Sequence, residues 1–253
     1  MKIAILTSNE LRHKYFANNI SRNLDNVIVI SEVKGEIKTT DTSPVSEEIQ
    51  KHFALRTATE QDIFKGNDFF TSPTLPIQYK KANSLEVYEL LKKERPDIMI
   101  GFGCSIIKEP LLSLVPPGRF LNLHLGLSPY YRGSGTNFWP FVNNELEYVG
   151  STIIHIDAGI DTGDIISHVI PSWSKEDNAH TIGCKVVMKS VEAFQHIIQD
   201  LENGIKIPRV KQWQPEYERY YRTADFTEIV LRKYLLNLKK GIVKNYLKQP
   251  KKS

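Results

Sequence analysis

Asn122 and His124 stand two residues apart in NLHLGLSPYYRG, at the end of an apolar run. Asp161 follows in HIDAGIDTGDII, between Gly159 and Gly163. These three residue types form a coherent chemical set. An imidazole gives or takes a proton near neutral pH. A carboxylate beside it orients the ring and favours its charged form. An amide can donate to a developing oxyanion, a role for which losing one donor costs roughly 3 to 4 kcal/mol. No serine, threonine or cysteine nucleophile clearly accompanies them. The set therefore suits a reaction in which the substrate supplies the nucleophile, such as an amine attacking an activated acyl group. An isolated Asn-x-His is more often loop hydrogen bonding, and glycines around an aspartate are more often hairpin turns. The ordered combination from Asn122 to Asp161 is what carries the chemical reading.

Positioning such groups takes strands that end at one place. Lys2 to Leu6 and Val27 to Ile30 read as buried strands, with helical spacing from Glu10 to Leu24 between them. That βαβ opening predicts an α/β fold, a doubly wound, Rossmann-like and mostly parallel sheet with helices over its faces. Ser43 to Thr59 reads as a polar helix capped by Ser43 with Pro44 in its first turn, and Lys65 to Pro76 as a loop. Ser84 caps a helix through LEVYELLKKE, which Pro96 stops. IMIGFG after Asp97 is a third buried strand and Phe120 to His124 a fourth. Tyr148 to Asp157 and Asp164 to Ile170 read as exposed-edge or antiparallel strands. Ala179 to Asn203 is a long amphipathic helix ended by Gly204. A short strand around Trp213 and a helical tail from Phe226 complete the chain. In such sheets ligands bind beyond the carboxyl ends of the strands, where Gly101 to Ser105 and Asn122 to His124 both fall.

Bulk properties exclude several classes. The 253 residues are 41% hydrophobic and 25% charged, with a net charge of +4, which is ordinary globular composition. Much of the positive charge sits in KNYLKQPKKS, and no basic stripe runs through the body, so no nucleic-acid partner is expected. Cys104 and Cys184 are the only cysteines. They read as reduced thiols of a cytoplasmic protein, with no metal spacing. No apolar run approaches a membrane span. The chain lacks G-x-G-x-x-G, G-x-x-x-x-G-K-[ST] and G-x-S-x-G, which argues against a dinucleotide-binding protein, a phosphate-loop ATPase and an α/β-hydrolase.

Two linked patterns carry a family resemblance. N-x-H-x-x-x-x-P-x-Y-R-G is met by Asn122, His124, Pro129, Tyr131, Arg132 and Gly133; G-x-T-x-x-H-x-x-x-x-x-D-x-G-x-I is met by Gly150, Thr152, His155, Asp161, Gly163 and Ile165. They resemble the 10-formyltetrahydrofolate-dependent formyltransferases, over about Met1 to Val210. The resemblance implies an Asn122–His124–Asp161 catalytic site with 10-formyltetrahydrofolate as co-substrate and no metal. In it His124 is base or proton relay, Asn122 holds the oxyanion, and Asp161 orients His124 and a water. It also implies a folate pocket at IMIGFGCSII, with Phe102, Gly103 and Ile106 as its wall and Asp157 and Gly159 at the loop opposite. HLGLSP departs from the H-P-S-L-L-P of many relatives at Gly126 and Ser128, which puts substrate detail in doubt more than chemistry. The tail YRTADFTEIVLRKYLLNLKKGIVKNYL and RHKYFANNI resemble formyltransferases of bacterial surface-sugar pathways. The expected acceptor is therefore the amine of a nucleotide-linked amino sugar in surface-polysaccharide (lipopolysaccharide) biosynthesis.

The division expected is a catalytic domain, 1–208, and a mostly helical extension, 209–253. Acceptor-side candidates are Arg132, Tyr131, Arg12 and His13. Arg132 could clamp an anionic group or staple its own loop. Arg12, His13 and Lys14 could meet a phosphate at a helix start or form a solvated face. His155 is expected to be structural, and Trp139 to belong to the core. Tyr217, Tyr220 and Tyr221 could stack on a base, although packing of the tail is the preferred reading. The Leu-, Ile- and Tyr-rich tail could pair two copies as a homodimer. Alternatives are glycinamide ribonucleotide, aminoacyl-tRNA or water as acceptor, or a non-catalytic binding module. The length after Arg209 argues against tRNA, Ser43 to Asn83 against a minimal purine enzyme, and the start at Lys2 against a hydrolase with a leading domain.

Overall fold

The structure is a computed structural model that describes residues 1–33, 46–159 and 161–249. It opens with strand β1 (Ile3–Ser8), helix α1 (Leu11–Ile20) and β2 (Val27–Val33). Helix α2 (Glu47–Ile63), β3 (Thr74–Gln78), α3 (Leu85–Glu94) and β4 (Ile98–Phe102) follow. The sheet strands pair in the order β3-β2-β1-β4, all parallel. β5 (Phe120–Leu125) extends the sheet in parallel beside β4. After a short β6 (Tyr131–Gly133) and α4 (Trp139–Asn143), β7 (Ser151–His155) and β8 (Ile165–Val169) close it as antiparallel strands. The result is the expected doubly wound, mostly parallel sheet of seven strands. α5 (Ala179–Glu202) crosses back over it, and β9 (Arg219–Tyr221), α6 (Glu228–Lys239) and α7 (Ile242–Lys248) form the tail.

Alternation along β1 explains the layering. Ile3 and Ile5 pack with α1 and α5 through Phe16, Val187 and Phe194; Ala4 and Leu6 pack with α3 through Val87 and Leu91. Successive side chains of a strand point to opposite faces, so a strand covered on both sides must be apolar throughout. Each fully buried Ile or Leu contributes about 1.5–3 kcal/mol of transfer free energy. A third cluster holds the tail to the body: Leu231 and Tyr234 of α6 pack with Tyr131, Phe141, Ile182 and Val186.

Three local expectations need correction. Ser46, not Ser43, caps α2 by accepting from the Ile49 N–H at 3.4 Å; Ser43 and Pro44 lie outside the described residues. The expected loop to Pro76 ends in β3. This is an edge strand, where a proline takes no hydrogen bond from the ladder. The strand expected around Trp213 reduces to an isolated antiparallel bridge between Val210 and Ile165. The tail's actual strand lies further on, pairing in parallel with β6. Ser84 caps α3 and Asn178 caps α5, as their residue types predict. No helix among the described residues is long and apolar enough to cross a membrane.

Candidate active site

β5 explains the Asn-x-His spacing. Residues two apart on a strand share a face, so Asn122 and His124 both leave the sheet on the side of Phe120, while Leu121 and Leu123 enter the α1/α5 core. Both lie at the carboxyl half of β5, beside β4. Asp161 arrives from the loop between β7 and β8. Its backbone φ of 53° lies in the left-handed region, which Asp tolerates better than most residues. The carboxylate meets His124 Nδ1 at 3.2 Å. Asn122 Nδ2 lies 3.5 Å from the other carboxylate oxygen, at the outer limit of a hydrogen bond. The structure thus brings together the three residues expected to act as a set.

The far side of the ring fixes its state. His124 Nε2 is 2.9 Å from the main-chain oxygen of Tyr131. A carbonyl and a carboxylate are both acceptors, so satisfying both requires the doubly protonated imidazolium. The ring is 6% exposed. Burial opposes its charge, but the hydrogen bond and charge of Asp161 and the Tyr131 carbonyl outweigh burial and raise its pKa above the ordinary histidine value. Burial likewise raises the Asp161 carboxyl, but His124 and then Arg132 overcome it and hold it below the usual range.

Gly126 makes this proximity possible. Its φ is 143°, and a Cβ there would lie 2.7 Å from Thr136 Cβ and 2.8 Å from His124 Nε2. Thr152 ties the same turn down, donating to the Gly126 carbonyl at 2.7 Å and accepting from the Ser128 N–H at 2.8 Å. The departure from the common family pattern at HLGLSP is therefore a tightly packed turn against the histidine.

The expected pocket residues divide into two groups. Gly103 and Ile106 are exposed in the turn after β4, Ile106 by 52%. Phe102 is not a wall. Its ring is buried against Phe16 and edge-on to His13 at 4.6 Å, because a strand's last core position is filled by side-chain packing. The turn is anchored by Glu32 at the end of β2, a buried carboxylate that accepts from the Ser105 N–H at 2.9 Å, the Ser105 hydroxyl at 2.5 Å and the Ala82 N–H at 3.3 Å. Asp157 organises the opposite loop, accepting from the Gly159 N–H at 3.0 Å and the Thr162 hydroxyl at 2.8 Å.

Of the residues expected to meet the acceptor, Arg132 lines a cavity of about 320 Å³ with Thr162, Gln212, Trp213, Gln214 and Glu218, and pairs with Glu218 at 2.7 Å. Tyr131 is placed otherwise than expected. Its side chain is fully buried and its hydroxyl bonds Glu145 and Asn143, so its contribution to the site is the carbonyl on His124. Arg12 is also committed elsewhere: Glu60 and Glu10 hold its guanidinium. His13 is buried under Gly103 and bonded to Ser8 at 2.5 Å. His155 is structural, its Nε2 meeting the Pro208 carbonyl at 3.0 Å. Trp139 is buried and stacks on Tyr221, while Tyr217 and Tyr220 are exposed. Burial pushes both thiols, Cys104 and Cys184, up to about 12, which makes them poor nucleophiles.

Glu32 carried a legible signal, a lone carboxylate closing an apolar strand. Gln212 carried none: only the bridge at Val210 puts it near Asp161.

Known proteins resemble this chain in sequence and in fold. The chain is 32% identical over 140 residues to a methionyl-tRNA formyltransferase of Solibacter usitatus, a match covering 50% of this chain and 44% of that protein. It spans about half the length of the curated relatives it matches. Its fold superposes on a 4-N formyltransferase from Francisella tularensis with a TM-score of 0.58 at 22% identity, covering 93% of this chain and 87% of that one. An N-formyltransferase from Helicobacter canadensis, solved with folinic acid and dTDP-3-aminofucose, gives 0.58 at 21% identity, covering 97% and 82%. The formyl transferase family model matches residues 1–198, the part that carries β5, the Asp161 loop and the turn after β4, and the chain belongs to that family.

Proposed function

We propose that the protein transfers a formyl group from 10-formyltetrahydrofolate to the amine of a nucleotide-linked amino sugar, in surface-polysaccharide biosynthesis. The observation that carries the transfer is the Asn122–His124–Asp161 set, with an imidazole held charged between a carboxylate and a carbonyl. That donor set fits the folate co-substrate's chemistry: an activated formyl group needs an oxyanion donor and a proton path, and no protein nucleophile. Asn122 Nδ2, only loosely engaged by Asp161, turns to donate to the developing oxyanion. His124 relays a proton, and Asp161 stabilises its charged form and orients a water toward the departing folate nitrogen. Gly103 and Ile106 present the turn against which the flat heterocycle packs. Arg132 faces the acceptor across the cavity shared with Trp213 and Gln214.

The sugar acceptor is supported by the dTDP-3-aminofucose bound in the Helicobacter canadensis relative and by a tail packed around β6, where Arg132 pairs in register with Tyr220. A second reading, methionyl-tRNA as acceptor, is favoured by the curated relatives. Incubating the protein with 10-formyltetrahydrofolate, a panel of nucleotide-linked amino sugars and charged initiator tRNA separates them. One formyl mass gained by a sugar, and lost with His124→Ala, is the expected result. Formylated methionyl-tRNA would replace the sugar reading. Absence of tetrahydrofolate release with every acceptor would overturn formyl transfer.

A further inference from the structure

From the segment beyond α5, the Gln212 side chain holds the main chain of the Asp161 loop. Gln212 Nε2 lies 2.7 Å from the main-chain oxygen of Asp161 and 2.8 Å from that of Gly163. Both partners are carbonyl oxygens, so only the amide nitrogen can face them, and its two N–H groups match the two acceptors. The register explains the placement. Val210 and Ile165 exchange both backbone bonds, at 2.7 and 2.9 Å, as an antiparallel bridge. Two residues further along each strand, Gln212 comes opposite Gly163. A Cβ at 163 would lie 1.6 Å from the His155 carbonyl oxygen, so that position presents no side chain to Gln212. Between its two contacts the loop turns through the left-handed backbone of Asp161, a conformation that persists where surrounding contacts over-determine it. Gln212 also lines the cavity shared by Arg132, Thr162 and Trp213.

We propose that Gln212 is a positioning residue: from the acceptor wall it clamps the loop that sets Asp161 against His124, so occupancy of the cavity and placement of the carboxylate are linked through one side chain. This rests on the Asn122–His124–Asp161 reading of the site. The groups that face the His124 ring are Asp161 from the β7–β8 loop, Arg132 from β6 and the Tyr131 carbonyl. Loosening the clamp withdraws the first of these and leaves burial opposing the ring's charge.

The test compares wild type, Gln212→Met and Gln212→Asn, with Gln214→Ala as a neighbour lining the same cavity. Met matches the length without donors; Asn keeps the donors one carbon short and serves if Met does not fold. Two readouts are used, formyl-transfer kinetics and the NMR titration of the His124 ring, with thermal melting alongside. Expected for Gln212→Met is a kcat about 10- to 100-fold lower, as for a misplacement of about 1 Å at a catalytic group. The folate KM and melting temperature stay near wild type, and the His124 titration moves to lower pH, toward that of Asp161→Asn. Gln212→Asn falls between, and Gln214→Ala alters only the acceptor KM. A His124 titration and kcat unchanged in Gln212→Met, or in Gln212→Asn where Met does not fold, would overturn the clamp, as would a lower melting temperature with both intact. If the wild type transfers no formyl group, the functional reading fails, and the His124 titration still decides the clamp.

Discussion

The turn after β4 follows the strand that pairs with Asn122, and the loop between β7 and β8 carries Asp161 to His124, but different parts of the chain hold them. Glu32, at the end of β2 and 1% exposed, reaches across to bond the Ser105 main chain and hydroxyl. The loop carrying Asp161 meets the sheet through its carboxylate, at His124 of β5, and its main chain is held differently. It relies on Asp157 within itself and on Gln212 from the chain beyond α5. A buried carboxylate satisfied by several donors makes one rigid geometry, since moving any donor leaves a charge unpaired in low dielectric. Part-exposed amide-to-carbonyl bonds compete with water and yield more readily. The turn after β4, proposed as the folate side, is thus built into the sheet, whereas the carboxylate beside the histidine depends on the segment that also lines the Arg132 cavity.

Removing the group between the two loops has the largest expected effect. His124→Ala lowers kcat by about 100- to 10,000-fold, the usual contribution of a positioned acid or base, and lowers the melting temperature as well, since it leaves the Asp161 carboxylate without its partner. Stopped-flow or coupled detection of tetrahydrofolate measures it. On the anchored side, Glu32→Ala leaves buried donors without an acceptor. It is expected to cost about 2–3 kcal/mol, lowering Tm by about 5–10 °C, and to raise the folate KM while the acceptor KM holds. Equal changes in both KM values would erase the contrast between the loops.

The Asp161 side is sharpened by pH. His124, raised by its partners, contributes stability present below its unfolded value near 6.5 and lost as pH rises through the higher folded value. Asp161, held low, contributes stability present above its unfolded value near 3.8 and lost as pH falls through the lower folded value. The pair is therefore fully effective from 3.8 to 6.5. In Asp161→Asn the alkaline limb of kcat moves to lower pH, because burial is then opposed by the Tyr131 carbonyl without the carboxylate; a limb that stays in place would show that His124 is not tuned by this carboxylate. The smallest effect is expected at Arg209. Its exposed pair with Asp164, at 3.1 Å, contributes about 0.2–1 kcal/mol, and Arg209→Ala leaves kcat within two-fold. A larger loss would show that Arg209, like Gln212, anchors the loop from beyond α5.

Much of the fold was legible because its signals are local and repeat. Unbroken apolar runs at Ile3, Val27 and Ile98 marked strands covered on both faces, and Ser84 marked a helix start by the hydrogen bond its side chain can make. β3 was hidden by Pro76, which argues against a central strand but not against an edge. In the site, Asn122 and His124 were legible from their two-residue spacing, which fixes a common strand face. That the side chains of Phe102 and Tyr131 are buried was not legible, because a motif names a residue without saying where its side chain packs.

Residue order by itself determined the doubly wound sheet, the strand end that carries Asn122 and His124, and the family, since each depends on periodicity or spacing within one segment. Only the tertiary structure decided that Asp161 reaches His124, that this carboxylate and the Tyr131 carbonyl flank the ring and favour its charged form, and that Glu32 and Gln212 anchor the two loops. Those contacts join residues far apart in the chain, and no short-range pattern encodes which distant donor will meet which acceptor once the strands have paired.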